Sequence, residues 1–272
     1  MPLNTRDQST DSFADWCVVN VANGEWYAAG QARMVASLRA HGYRGETLLW
    51  RDALPPGCPT HENTPYAFKV WAIQHARAQG FQRVAWLDSS IVAVNSLDRI
   101  ARWLATQSVF VPAYSDNMVG AWSSDAALQW LQIDREQALG IHCLETGTAF
   151  FDFSQATACR VFDVWHQAAL AGTPFQGSHR NDRGQVSADP RVLGHRHDQI
   201  VLSAAVWREG LPTYQWADAI TRHAKRYRLR EDTVFVCRRK CYGFETHGAV
   251  GTPLWRLLYH PRNALRRLLG RD

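Results

Sequence analysis

Short apolar runs bounded by turn-forming residues alternate along this chain with stretches of helical spacing. Trp16–Ala22 (WCVVNVA) is almost wholly apolar and ends at Asn23-Gly24, which predicts a strand buried on both faces followed by a turn. Residues 27–41 place Met34 and Leu38 on one helical face, and Gly42 stops the pattern. Residues 46–50 predict a second strand, and residues 52–64, with three prolines and a glycine, a loop. Thr64-Pro65 predicts a helix start, with Thr64 as the cap and Pro65 in the first helical position. That helix runs to Gln79 and stops at Gly80. Residues 84–87 (VAWL) form a third buried strand, and residues 91–94 a further apolar run.

The order so far is β-α-β-α-β, which predicts a mostly parallel central sheet flanked by helices. Beyond it, the pattern predicts a helix over 97–106, a strand over 108–112 and a helix over 123–130. A buried strand over 146–153 (TGTAFFDF) and a helix over 154–171 follow. Residues 172–194 are polar and rich in turn formers, the length of a functional loop. Helical spacing resumes over 195–207 through Ile200, Val201, Ala204 and Ala205. The chain divides into a flexible lead over 1–15, one α/β domain over 16–250 and a basic helical tail over 251–272.

The chemistry centres on the segment VAWLDSSIVAVNSL, where Asp88 follows an apolar strand directly. A carboxylate there is costly unless it has a task, and open α/β sheets bind ligands outside the carboxyl ends of their strands. The competing reading is that Asp88 caps the next turn. This layout resembles the Asp-x-Asp segment of GT-A-fold glycosyltransferases, most closely the family-8 type. It is similar as well to a group of bacterial open reading frames with Asp-Ser/Ala-Ser at this place. Asp88 matches the first acid of the motif and Ser90 stands where the second belongs. The resemblance implies a single GT-A-like (Rossmann-like) domain and a nucleotide-sugar donor. It also implies an Mn²⁺ or Mg²⁺ site weakened by the loss of one carboxylate, with Ser89 and Ser90 as neutral oxygens beside the ligand.

Two further segments carry the likeness. GHRHDQ, residues 194–199, resembles the Asp-Gln pair that follows a long loop and lies near the donor sugar in those families, with Asp198 and Gln199 in the matching places. If the helix began at residue 195, His195 and Asp198 would share one face, with His197 beside them. A zinc site there lacks a remote partner. THGAVGTPLW, residues 246–255, distantly resembles the His-x-x-Gly-x-x-Lys-Pro-Trp segment that completes the family's metal site, and makes His247 the remote metal ligand beside Asp88. The spacing differs by one residue and the lysine is missing. Glu145, just before the TGTAFF strand, is a second candidate base after Asp198. Lys69 and the basic residues near 222–230 are candidates to neutralise a diphosphate.

Composition alters this picture little. Over 272 residues, 46% hydrophobic and 20% charged residues are ordinary globular values, and a net charge of +5 suits an anionic ligand better than nucleic acid. The twelve tryptophans include enough for sugar stacking, although most are expected in the core. Six cysteines behind a polar N-terminus predict free thiols in a cytoplasmic protein, and Cys237-x-x-x-Cys241 lacks the second pair of a zinc site. The tail interleaves Leu and Trp with Arg, a pattern suited to peripheral contact with the anionic inner face of a membrane.

The reading is a glycosyltransferase moving a sugar from a nucleotide-diphosphate donor to the hydroxyl of a glycan or lipid-linked acceptor, in bacterial surface polysaccharide or glycoconjugate synthesis. The alternatives are a non-catalytic nucleotide-sugar-binding module and a nucleotidyltransferase.

Overall fold

The computed structural model describes residues 13–215, 220–222 and 233–237. Its centre is a five-stranded sheet of β1 (Trp16–Ala22), β2 (Glu46–Arg51), β3 (Arg83–Leu87), β5 (Val109–Phe110) and β8 (Thr148–Asp152), in the order β2-β1-β3-β8-β5. β1 runs parallel to both neighbours, with Cys17 beside Glu46 and Val84. β8 runs antiparallel to β3 and to β5, so four strands point one way and one points back. The class is therefore α/β with a mostly parallel central sheet flanked by helices.

Alternation along β1 and β3 builds the two layers. Cys17, Val19, Val21, Val84 and Trp86 face a core closed by α2 (Ala67–Ala78), α6 (Ala156–Ala171) and α7 (Asp198–Arg208). Trp16, Val18, Ala85 and Leu87 face the other core, under α1 (Glu25–Ala40) and α3 (Asp98–Gln107). With both faces covered, continuous apolar runs are the stable pattern for these strands. Two three-stranded sheets complete the described fold. One joins β4 (Ile91–Ala93), β10 (Ile220–Arg222) and β11 (Phe235–Cys237). The other joins β6 (Pro112–Met118), β7 (His142–Leu144) and β9 (Tyr214–Gln215). The short helices α4 (Asp125–Leu131) and α5 (Arg135–Ala138) lie between β6 and β7 in the chain.

Four expectations change. The strand over 108–112 is two strands in different sheets, β5 and β6, with the chain crossing between them at Val111. Helix α2 begins at Ala67, because Thr64 uses its carbonyl to close a turn on Ala67 N–H (3.2 Å) and Tyr66 takes a left-handed conformation (φ 63°). Helix α7 begins at Asp198, so His195 and His197 precede it and the shared helical face does not exist. Ordered packing starts inside the lead, where Phe13 is buried against Trp16 and Tyr43 and Asp15 pairs with Arg83. His247, the 251–272 tail and most of the basic 222–230 stretch lie outside the described residues.

Candidate functional site

β3 ends at Leu87, and the chain turns at once: Ile91 N–H donates to the Asp88 carbonyl at 2.9 Å. Asp88 N–H donates to the Gly147 carbonyl at 2.8 Å, which ties this turn to the segment before β8. Because β8 is reversed, its beginning lies beside the carboxyl end of β3. Thr146 and Gly147 therefore come to the ligand edge of the sheet together with Asp88. The approach is close: a Cβ on Gly147 would stand 3.1 Å from Asp88 Oδ2 and 3.2 Å from Glu145 Oε1.

Lys69, in the first turn of α2, sits at the centre. Its side chain is 6% exposed, and Nζ lies 3.5 Å from Asp88 Oδ1 and 3.4 Å from Asp198 Oδ2. It donates to the Thr146 carbonyl (3.1 Å) and to Thr146 Oγ1 (3.2 Å), and Oγ1–H in turn donates to Asp198 Oδ2 (2.7 Å). Trp86 Nε1–H donates to Asp88 Oδ1 at 2.7 Å, and Trp165 Nε1–H to the Asp198 carbonyl at 3.0 Å. Burial pulls the Lys69 pKa down, but Asp198, Asp88 and Glu145 together outweigh it and hold the ammonium above the ordinary lysine value. Lys69 thus donates to both Thr146 oxygens and lies between two carboxylates, which it holds in place.

The remaining predicted residues separate into two groups. Glu145 and Gln199 join the site: Gln199 Nε2 approaches Glu145 Oε1 at 3.4 Å, and Gly147 N–H donates to the same oxygen at 3.3 Å. Ser89 does not face a ligand, since its buried hydroxyl donates to Asn20 Oδ1 (3.2 Å). Ser90 Oγ lies 3.5 Å from Cys237 Sγ. His195 is wholly buried, and both ring nitrogens serve the backbone. Nδ1 accepts from Ser124 N–H (3.1 Å) and Nε2–H donates to the Pro174 carbonyl (3.1 Å). Burial, reinforced by His197 and weakly opposed by the Pro174 carbonyl, pushes its pKa down to about 3. Its role is to tie the 172–194 loop to the domain. His197 Nδ1–H donates to the Phe175 carbonyl (2.8 Å), and its Nε2 lies 3.3 Å from His179 Nε2. The Tyr66 ring packs beside it at 5.3 Å.

The 172–194 loop carries its own framework. The Asn181 amide donates to the Ser187 and Val192 carbonyls and accepts from Val186 and Ser187 N–H, with Val186 and Val192 buried beneath.

Among the described residues no group of three His, Cys, Asp or Glu is placed to hold a divalent cation, and His247, the second proposed ligand, lies outside them. Asp88 Oδ1 is committed to Trp86 and to the Lys69 ammonium, whose charge opposes a second cation. The sequence pointed to Lys69, Asp88, Glu145 and Asp198 but not to Thr146 and Trp86, which bond to them. Thr146 carried one signal, a hydroxyl just before a glycine at a strand start. Trp86 carried none, being indistinguishable from other core tryptophans.

No protein-family model and no curated protein matches this chain. Solved structures are similar at low identity. The apo bifunctional glycosyltransferase WbbM matches 96% of this chain at 9% identity and a TM-score of 0.46; the chain spans 53% of WbbM's length. The galactosyltransferase LgtC, in complex with donor and acceptor sugar analogues, matches 90% of this chain and 95% of its own at 14% identity and a TM-score of 0.44. A glycosyltransferase involved in glycosylation of the PBCV-1 major capsid covers 92% and 99% at 14% identity and a TM-score of 0.40.

Proposed function

We propose that this chain is a glycosyltransferase that moves a sugar from a nucleotide-diphosphate donor to an acceptor hydroxyl, with bacterial glycan synthesis as its setting. The observation that carries the reading is the convergence of Asp88 and Asp198 on one buried lysine at the carboxyl edge of β3. Four chain segments far apart in sequence supply Lys69, Asp88, Thr146 and Asp198, and core packing alone does not require such a buried polar cluster.

In this reading Asp88, 36% exposed at its side chain, is the contact to the donor. Asp198, almost fully buried and fixed by Thr146 and Lys69, presents its carboxylate edge to donor-sugar hydroxyls. Glu145, at the turn before β8, takes the acceptor proton as the hydroxyl oxygen bonds to the anomeric carbon and the nucleotide diphosphate departs. The described site is rich in carboxylates, so the charge that stabilises the leaving group comes from elsewhere, with the basic residues near 222–230 as the candidates. The acceptor is a glycan or lipid-linked sugar, and the basic 251–272 tail is proposed as a peripheral membrane contact.

The loss of the second acid at Ser90 favours a nucleotide-sugar-binding module as the competing reading. Thermal shift with UDP, GDP and CMP, with and without Mn²⁺, tests both, followed by calorimetry on Asp88→Asn. A folded variant with undiminished nucleotide affinity excludes Asp88 as the donor contact. Binding without sugar release or transfer supports the module.

A further inference from the structure

We infer that Arg196 selects an acceptor sugar that carries an anionic group, a carboxylate or a phosphate. The inference rests on the glycosyltransferase reading above. Arg196 lies two residues before Asp198, with its guanidinium carbon 4.1 Å from the centre of the Trp122 ring. Its backbone N–H donates to the Trp122 carbonyl at 3.0 Å, and Trp122 Nε1–H donates to Asn117 Oδ1 at 3.2 Å, so both partners of the stack are anchored. Arg77, Arg83, Arg135, Arg160 and Arg191 each pair with a carboxylate. Arg196, only partly exposed, has no carboxylate within 4.0 Å among the described residues, and its Nε is buried there without a hydrogen-bond partner. A guanidinium held over an indole ring has restricted freedom, and its outer N–H fork is the geometry that reads carboxylate and phosphate. The stack already restrains the side chain, so little conformational freedom is lost when an anion binds.

The position assigns this charge to the acceptor. The donor diphosphate is placed by Asp88, at the end of β3 in the central sheet. Trp122 and Asn117 belong instead to the β6 side, beside β7, the strand that leads into Glu145. Through its bond to the Trp122 carbonyl Arg196 belongs to that side of the fold, which we take for the acceptor side.

The test titrates three sugars into the full chain by calorimetry: methyl glucuronoside, glucose 6-phosphate and methyl glucoside. Inorganic phosphate and UDP, GDP and CMP are run alongside, and Arg196→Gln and Arg196→Lys are compared with the natural chain. The expected result is binding of at least one anionic sugar ~10-fold or more tighter than methyl glucoside, the scale of a charge-assisted hydrogen bond. Which of the two wins distinguishes carboxylate from phosphate. Arg196→Gln should abolish the preference, Arg196→Lys should retain part of it, and nucleotide affinity should not move. Equal binding of all three sugars overturns the inference, as does a preference that survives Arg196→Gln. Inorganic phosphate binding as tightly as glucose 6-phosphate makes the residue a plain ion receptor and also overturns it. A fall in nucleotide affinity in Arg196→Gln moves the residue to the donor and ends the acceptor assignment. If no nucleotide binds while an Arg196-dependent sugar preference remains, the transferase reading fails and the anionic-sugar site stands.

Discussion

Lys69 and Asp198 meet at 3.4 Å in a place where neither is exposed, and Thr146 bonds to both. Removing one partner of a buried pair leaves the other charge uncompensated, which costs far more than the pair contributes. Lys69→Met should destabilise the protein by about 3–5 kcal/mol. Urea unfolding checks this, and a loss under about 1 kcal/mol would mean that water already reaches the pair. Nucleotide affinity in the surviving folded fraction should fall too, because Asp88 loses its fixed position.

Glu145 and Asp198 separate by kind of loss. Glu145→Gln should lower sugar transfer by roughly 10²–10⁴-fold with little change in nucleotide affinity or melting temperature, as expected for a lost proton acceptor. Asp198→Asn keeps the shape but disrupts the Thr146 and Lys69 contacts, so it should lower both stability and transfer. Turnover and thermal melts on the same two preparations provide the comparison; full turnover in Glu145→Gln removes it from the mechanism.

Gly30 couples α1 to the Asp88 turn. A Cβ at this position would lie 2.4 Å from the Ser89 carbonyl oxygen, a backbone atom that cannot swing aside. Gly30→Ala should therefore push α1 or the turn outward, costing roughly 1–3 kcal/mol as overpacking does. Nucleotide binding should weaken although residue 30 touches no ligand. Melting temperature and calorimetric affinity are the readouts, and unchanged values in both would show that the helix moves freely.

Acid should unfold the protein through its histidines. His195 has its folded pKa near 3 against about 6.5 when unfolded, so between these values the unfolded chain binds a proton that the native state does not. Stability is then full above pH 6.5 and falls as pH drops through that window, by up to about 1.4 kcal/mol per pH unit for one such group. His166, His179 and His197 are all depressed by burial and act with the same sign. Stability curves at pH 7, 6, 5 and 4 for the natural chain and His195→Gln should show a shallower slope in the variant; parallel slopes would mean that His195 is already protonated in the native state.

Much of the framework was legible from pattern alone. β1 falls at the predicted residues because seven consecutive buried positions leave no other reading, and Asp88 was conspicuous as a charge at the end of such a run. The direction of β8 was not legible, since TGTAFFDF has the same composition whether the strand runs up or down. That direction brings Thr146 to the site. Thr64-Pro65 resembled a helix cap, but a Tyr66 held at positive φ is a tertiary outcome that local propensity does not encode. His195 looked like a ligand because histidines in a polar motif usually face solvent; only the fold reveals that Ser124 and Pro174 occupy both nitrogens.

The reversed β8 also bears on how the site comes into being. Lys69 and Thr146 are 77 positions apart and Thr146 and Asp198 a further 52, so no local segment contains the cluster. Closing such long loops must precede any stabilisation by the contacts themselves, which places assembly of the cluster late in folding. Asp88 can pair with Lys69 early, but the cluster is complete only once helix α7 brings Asp198 against Lys69 and Thr146, so the last helix of the described core also finishes the site.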